Sequence, residues 1–453
     1  MCLLRRAAAT ALVLAAALAA PARADDPKIP FERYTLPNGL EVILAPDPSV
    51  PLVAVNVWYH VGSGLEVPGK SGFAHLFEHM LFQGSKNVGA DKHFDILKKA
   101  GADQINGTTN SDRTNYFEVV PSNQLEMALW LESDRMGFLL PMLTEPSLKN
   151  QIDVVRNERR QRYDNVPYGQ SGLAMADALY PAGHPYKYQT IGRHEDLVAA
   201  SLADVVGFYK TWYVPANATL TLCGDFDPKT VKAQVAKWFG AFPASQKPVP
   251  VKVPPPTVTS KRIEVKDNFA KLTQVTWDWI SPANYAPDDA ELDIAASALA
   301  REGTGRLYRI LVYEKQLAQS VRAYQSGQGF SGTFEIAVTL RTGADQAAVE
   351  KIVEDEVAKL GRENLSDREI ARVVTANEAG AIYGLENLMT RANQLQGYNH
   401  FLGNPDSLTW DLDRYRTTTP EKIRAAVAKY LTPDHHIVLV TSPAAAPAAG
   451  AKP

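Results

Sequence analysis

The stretch HLFEHMLF, His75 to Phe82, sets two histidines and a glutamate within five positions of an apolar run. In an α-helix residues four apart share a face, so His75 and His79 can turn their imidazoles toward one point, with Glu78 beside them. Leu76, Phe77, Met80, Leu81 and Phe82 predict a core-facing helix. There, two imidazoles and a carboxylate are costly unless they are paired or hold a metal. Imidazole nitrogens bind Zn2+ at about 2.0–2.1 Å, and a catalytic site needs three protein ligands plus an open position for water. Glu78 is then placed to accept a proton from that water. An ordinary buried helix with internally satisfied polar groups fits the same residues, so the rest of the chain has to decide.

The chain has 453 residues, 45% of them hydrophobic and 21% charged, which is enough for two or more folded domains with sizeable cores. A net charge of -3 gives no global field for nucleic acid or an anionic membrane, and the basic run RNERRQR (156–162) is interrupted by Glu158. No nucleic-acid partner is expected. Arg5 and Arg6, the apolar run Ala7 to Ala20 and the small residues before Asp25 predict a signal peptide over residues 1–24, hence an exported, periplasmic or secreted product. That run is too short to span a bilayer, and no later run approaches a membrane helix, so no membrane span is expected. Cys2 falls in the leader, outside the place of a lipid-anchored cysteine. Cys223 is then alone in the mature chain, which excludes an intramolecular disulfide and a cysteine-rich zinc site. Within TLTLCGDF it alternates like a buried strand residue.

SQKPVPVKVPPP (245–256) is the one clear internal break, because closely spaced prolines favour extended backbone and cannot join a helix or a central strand. The expected domains are 25–244, a linker at 245–258, 259–442, and a low-complexity Ala/Pro tail at 443–453. The two halves share a pattern. Each opens with a β-rich stretch, LVAVNVWYHVGS or LTQVTWDWIS, follows with a helix, GFAHLFEHMLF or DDAELDIAASALA, and closes with a helix end, a turn and a strand. This predicts an α+β fold of two homologous domains arisen by internal duplication, each a mainly antiparallel sheet packed against helices. The second copy has no histidine between Ser281 and Arg301, so the repeat is symmetric in pattern and asymmetric in chemistry.

GSGLEVPGKSGFAHLFEHMLFQGS resembles the zinc-site region of the insulinase/pitrilysin family, whose inverted zinc motif marks it, and in particular its branch of about 50 kDa, which includes the mitochondrial processing peptidase and bacterial periplasmic or secreted relatives. The resemblance continues through INGTTNSDRTNYFEVVP (105–121), QIDVVRNERRQRYDN (151–165), HPYKYQTIG (184–192) and FYKTWYVPANATLTLCGDFDP, and more weakly through the second half. It implies a two-domain metallopeptidase of the processing-peptidase type with one zinc ion per chain, held by His75, His79 and, from a later helix, Glu158. It further implies that Glu78 is the general base on zinc-bound water, and that Asn106 contacts substrate on an edge strand to which an extended peptide adds. Relatives carry an acidic residue seven positions before the third ligand; here that position is Gln151, which keeps hydrogen-bonding capacity but not charge.

Members with a complete site often use an Arg and a Tyr from the second half to hold the substrate carbonyl. The matching stretch, Gln325 to Leu340, contains neither. The expectation is an exported zinc metalloendopeptidase acting on peptides or unfolded polypeptide segments inside a chamber, as a homodimer or as a heterodimer with a homologous subunit lacking the zinc motif. The rival is a non-catalytic, peptidase-like binding or assembly subunit; a zinc hydrolase of another substrate class also fits the ligand chemistry. His60, His93, His184, His194, His400, His435 and His436 lack a helical glutamate partner and are assigned structural roles.

Overall fold

The strand Leu52–Tyr59 is buried along seven of its eight residues, which requires cover on both faces of its sheet. The computed structural model, which describes residues 26–249, 251 and 253–444, shows where that cover comes from. The predicted signal peptide and the tail beyond Ala444 lie outside the described residues.

The first half runs β1 (Glu32–Thr35), β2 (Glu41–Pro46), β3 (Leu52–Tyr59), α1 (Phe73–Met80), α2 (Lys92–Lys99), β4 (Asp103–Thr109), β5 (Thr114–Pro121), α3 (Leu125–Gly137), α4 (Glu145–Arg159), α5 (Gly169–Leu179), α6 (His194–Val198), α7 (Leu202–Trp212), β6 (Ala218–Gly224) and α8 (Pro228–Phe239). The second runs β7 (Lys261–Asp267), β8 (Gln274–Ser281), α9 (Asp289–Ala300), β9 (Ala318–Ser326), β10 (Gly332–Leu340), α10 (Gln346–Leu360), α11 (Asp367–Gly384), α12 (Leu388–Leu402), α13 (Leu408–Arg416), α14 (Pro420–Tyr430) and β11 (His436–Pro443). The proline-rich segment between them forms neither helix nor strand where described.

Strand order is β1-β2-β6-β3-β5-β4 in the first sheet and β7-β11-β8-β10-β9 in the second. The second order is the first without β1, and each sheet has a single parallel pairing, β2 with β6 and β7 with β11. The predicted duplication is therefore present in topology as well as in sequence pattern. One boundary shifts by a residue: Pro443, expected in the tail, belongs to β11 and pairs with Asp267, because the parallel ladder to β7 continues past Ser442.

Val53, Val55, Val57 and Tyr59 face the helices of their own half. The opposite face, with Ile43, Ala45, Ala54, Val119 and Cys223, is covered by Leu388, Met389, Ala392 and Leu395 of α12, a helix of the second half. The exchange is reciprocal. Ile437 and Leu439 of the second sheet pack on Met175, Ala176 and Leu179 of α5, a helix of the first half. The α12 contact also satisfies polar groups: Gln396 donates to the carbonyls of Asn56 (3.2 Å) and Thr219 (2.8 Å), and Asn56 donates to Asn393 at 2.8 Å. Buried backbone acceptors need such partners, and here they come from across the seam. Cys223 is fully buried under α12, in the structural role its alternation predicted.

Candidate metal centre

Helix α1 starts where two backbones touch. Gly72 has φ of +88° and Gly192 φ of +74°, a region that favours glycine, and a methyl built on Gly192 would lie 2.5 Å from the Gly72 Cα. Glu66 accepts from the Gly72 and Ala74 amides, each at 2.8 Å, and so caps the helix. The Arg159 guanidinium, at the end of α4, donates to the Gly192 carbonyl. One glycine therefore fixes both the start of α1 and the end of α4, the two helices carrying the predicted ligands.

Their donor atoms converge. His79 Nε2 lies 3.1 Å and His75 Nε2 3.6 Å from Glu158 Oε2. A tetrahedral ion with bonds of about 2.0–2.1 Å separates its ligand atoms by about 3.3 Å, and the two distances straddle that value. The two rings are set edge to face. Burial, followed by the neighbouring His79, pulls the His75 pKa down to about 4, so it is a neutral donor at pH 7. The Glu158 pKa is lowered by its hydrogen bond to His79, which keeps it anionic. Two imidazoles and one carboxylate suit zinc, and the residues present fit the ion that the sequence predicted. Glu158 Oε1 pairs with Arg162 at 3.0 Å, inside a π-turn (Arg160–Asp164) that widens the helix just after the ligand. Gln151, two turns earlier on α4, is buried at 3% exposure and is not hydrogen-bonded to either histidine or to Glu158.

Glu78 faces β4, the outermost strand of the first sheet. Thr109 Oγ1 donates to Glu78 Oε2 at 2.7 Å. Gly107, on the same face two residues earlier, leaves room for the glutamate, since a methyl there would lie 3.1 Å from its Cγ. Burial raises the Glu78 pKa above the ordinary carboxylate range, and the Thr109 bond opposes that shift. Asn106 is exposed on the other face of the strand, opposite Phe117 and beside a register irregularity between Asp103 and Asn106. Its Oδ1 accepts from the Gly107 amide at 2.9 Å. Thr109 and Gly107 escaped the sequence reading; their alternation in NGTT was visible, but only the packing of β4 on α1 shows what they face.

The stretch Gln325–Leu340 spans the end of β9 and all of β10; Tyr324 and Arg322 lie just upstream on β9, and Arg341 directly follows Leu340. The remaining histidines divide. His60 and His400 share a hydrogen bond of 2.7 Å between their Nδ1 atoms across the seam, with rings stacked. His194 Nε2 lies 3.2 Å from Asp164. His93 falls beside the buried Glu118 and Glu132, where Arg135 already supplies the cation. Among the described residues no helix is long and apolar enough to cross a membrane.

Comparison with known proteins fits this centre. The insulinase (peptidase family M16) model matches residues 41–173, and the peptidase M16 inactive domain model matches residues 199–377. The chain is 28% identical over 360 residues to the zinc protease PqqE of Helicobacter pylori, covering 79% of this chain and 80% of that protein. It is 23% identical over 412 residues to the uncharacterized zinc protease YmxG of Bacillus subtilis, covering 91% and 98%. A protease from Helicobacter pylori of known crystal structure superposes with a TM-score of 0.86 at 26% identity, over 92% of this chain and all of that one. The peptidase M16 inactive domain from Pseudomonas fluorescens shares the fold, with a TM-score of 0.78 at 20% identity over 92% of this chain and 98% of that one.

Proposed function

Because the chain belongs to the insulinase (peptidase M16) family, we propose that it is an exported zinc-dependent metalloendopeptidase that hydrolyses flexible peptides or unfolded polypeptide segments. The observation that carries this reading is the convergence of His75, His79 and Glu158 on one point with Glu78 alongside. The relatives named zinc proteases support the ion, and the leader sequence supports export.

His75, His79 and Glu158 would hold one zinc ion per chain, which when bound supplies Lewis acidity to a water and to the scissile carbonyl. Glu78 accepts the proton of the attacking water and returns it to the leaving amine. Its raised pKa suits both transfers, and Thr109 fixes its orientation. An extended peptide adds to the open edge of β4 through main-chain hydrogen bonds, with Asn106 exposed on that strand. Recognition of this kind makes little demand on side chains and requires an unfolded segment, so folded proteins are poor substrates.

A second reading makes the chain one subunit of a pair, active only with a homologous chain that lacks the zinc motif. It is favoured by the second half, where Gln325–Leu340 offers no Arg or Tyr and Arg322 is drawn toward Glu335 at 3.7 Å. Residues 25–453 would be purified, their zinc measured, and flexible peptides tested with and without such a partner. Full activity of the isolated chain, alone or as a homodimer, excludes the pairing requirement. Zinc without cleavage under any pairing favours a peptide-binding subunit.

A further inference from the structure

Tyr324 on β9, Glu335 on β10, Asp278 on β8 and Ile437 on β11 stand in one register row across the second sheet. Paired residues of antiparallel strands carry their side chains on one face about 5 Å apart, and like charges so placed repel. Trp277, Trp279, Phe334 and Ile336, which flank the two acids in sequence, point into the core of the second half. Asp278 and Glu335 therefore face the seam, where α5 of the first half covers the same side of the sheet.

Asp278 is 3% exposed, and among the described residues it makes no hydrogen bond or ion pair. Glu335 has partial relief, from the neighbouring Tyr324 hydroxyl and from Arg322, 3.7 Å away, whose own side chain is mostly in solvent. A carboxylate buried without a partner is costly enough that it either binds a proton or awaits a cation.

The cavity that the two acids line, about 290 Å3 between the halves, is walled by the rings of Tyr180, Tyr186, Tyr188 and Tyr324. Tyr180, itself 5% exposed, presents a hydroxyl with no hydrogen-bond partner. Carboxylates among aromatic rings are the chemistry that recognises an ammonium or a guanidinium. Ser111, at the tip of the hairpin joining β4 to β5, lines the same cavity, which therefore opens beside one end of the strand edge that a peptide would extend.

We propose that this cavity is a subsite for a basic side chain, lysine or arginine, of the peptide substrate, with Asp278 as its counter-ion and Glu335 and the tyrosine rings completing the pocket. The assignment rests on the peptidase reading and adds to it a preference which main-chain pairing on β4 cannot provide.

The test is direct binding to zinc-loaded Glu78→Gln protein, read by fluorescence anisotropy with two labelled flexible peptides that differ only in lysine against norleucine. The lysine peptide is expected to bind at least about tenfold more tightly, as a charge-assisted bond to a buried carboxylate allows. Adding Asp278→Asn is expected to bring the two affinities together. Asparagine keeps the shape and removes an unpaired buried charge, so that variant should melt no lower than its parent, which separates lost recognition from lost folding. Equal affinities in the parent, binding of neither peptide, or a lysine preference that survives Asp278→Asn overturns the subsite; the last outcome assigns the preference to other charges. Cleavage by the wild type is read separately. A lysine preference in binding with neither peptide cleaved, alone or with a homologous partner subunit, leaves the subsite standing and fails the peptidase reading, whereas cleavage with no binding preference does the reverse.

Discussion

Thr109 reaches from the edge strand to the helix and donates a hydrogen bond of 2.7 Å to Glu78 Oε2, among the described residues the one side-chain hydrogen bond between β4 and the proposed base. It favours the ionised carboxylate against the burial that disfavours it. Thr109→Val removes the donor, so the Glu78 pKa rises further. Because Glu78 must be ionised to accept a proton, the acid limb of the kcat/KM profile should move to higher pH. Activity near pH 7 should fall about tenfold, the worth of one hydrogen bond to a charged group. Thr109→Ser should restore both. A profile that Thr109→Val leaves in place would show that Thr109 does not tune the base.

Gly192 ties the start of α1 to the end of α4, through its contact with Gly72 and through the Arg159 guanidinium. Alanine at 192 has no room, with the Ser71 carbonyl and the Gly72 Cα both 2.5 Å from its methyl. The histidines and Glu158 should then part, and Gly192→Ala should weaken zinc affinity by about 10- to 100-fold, the range seen when groups that orient metal ligands are lost. Competition with a chromophoric chelator reads this directly. Unchanged affinity would mean that the two helices are positioned by other contacts.

The reciprocal cover of α5 and α12 makes each half depend on the other. Leu395 is 1% exposed beneath the first sheet, although it belongs to the second half. Leu395→Ala should cost about 2–5 kcal/mol, as buried leucine truncations do. The full chain should melt in one transition that the substitution shifts as a whole. Two resolved transitions, only one of them lowered, would show that the halves are separate folding units.

The His60–His400 pair predicts acid sensitivity. Burial lowers the pKa of both, that of His400 to about 4, with Lys247 and Arg113 adding to the shift and each histidine facing the other. The unfolded chain therefore binds more protons than the folded one between about pH 6.5 and pH 4. The stability that depends on the neutral pair is complete above about pH 6.5 and is lost as the pH falls through about 4. His400→Asn should lower the melting temperature less than the wild type does between pH 7.5 and pH 5. Equal losses in the two proteins would remove the pair from the account.

What the sequence disclosed depended on how local each interaction is. His75, Glu78 and His79 were legible because one helical turn brings them together. Glu158 was legible only through resemblance, since nothing within RNERR says which residue meets a helix some eighty positions earlier. The duplication was legible in the alternation of the strands. The exchange of α5 and α12 was not, because an apolar face shows that a helix is covered and not by which half. Thr109, Gly192 and Asp278 owe their roles to partners across strand, loop and seam, and carry no signal of their own in the chain.

The account stands most directly on zinc content and peptide cleavage measured together for the wild type and Glu78→Gln, each alone and each with a homologous subunit lacking the zinc motif. It predicts one zinc ion in both proteins, cleavage of a flexible peptide by the wild type in at least one pairing, and a loss of about a hundredfold or more in the variant, the scale of general-base removal. Glu78→Gln that keeps its zinc and still cleaves at the wild-type rate would contradict it, as would a wild type that binds no zinc.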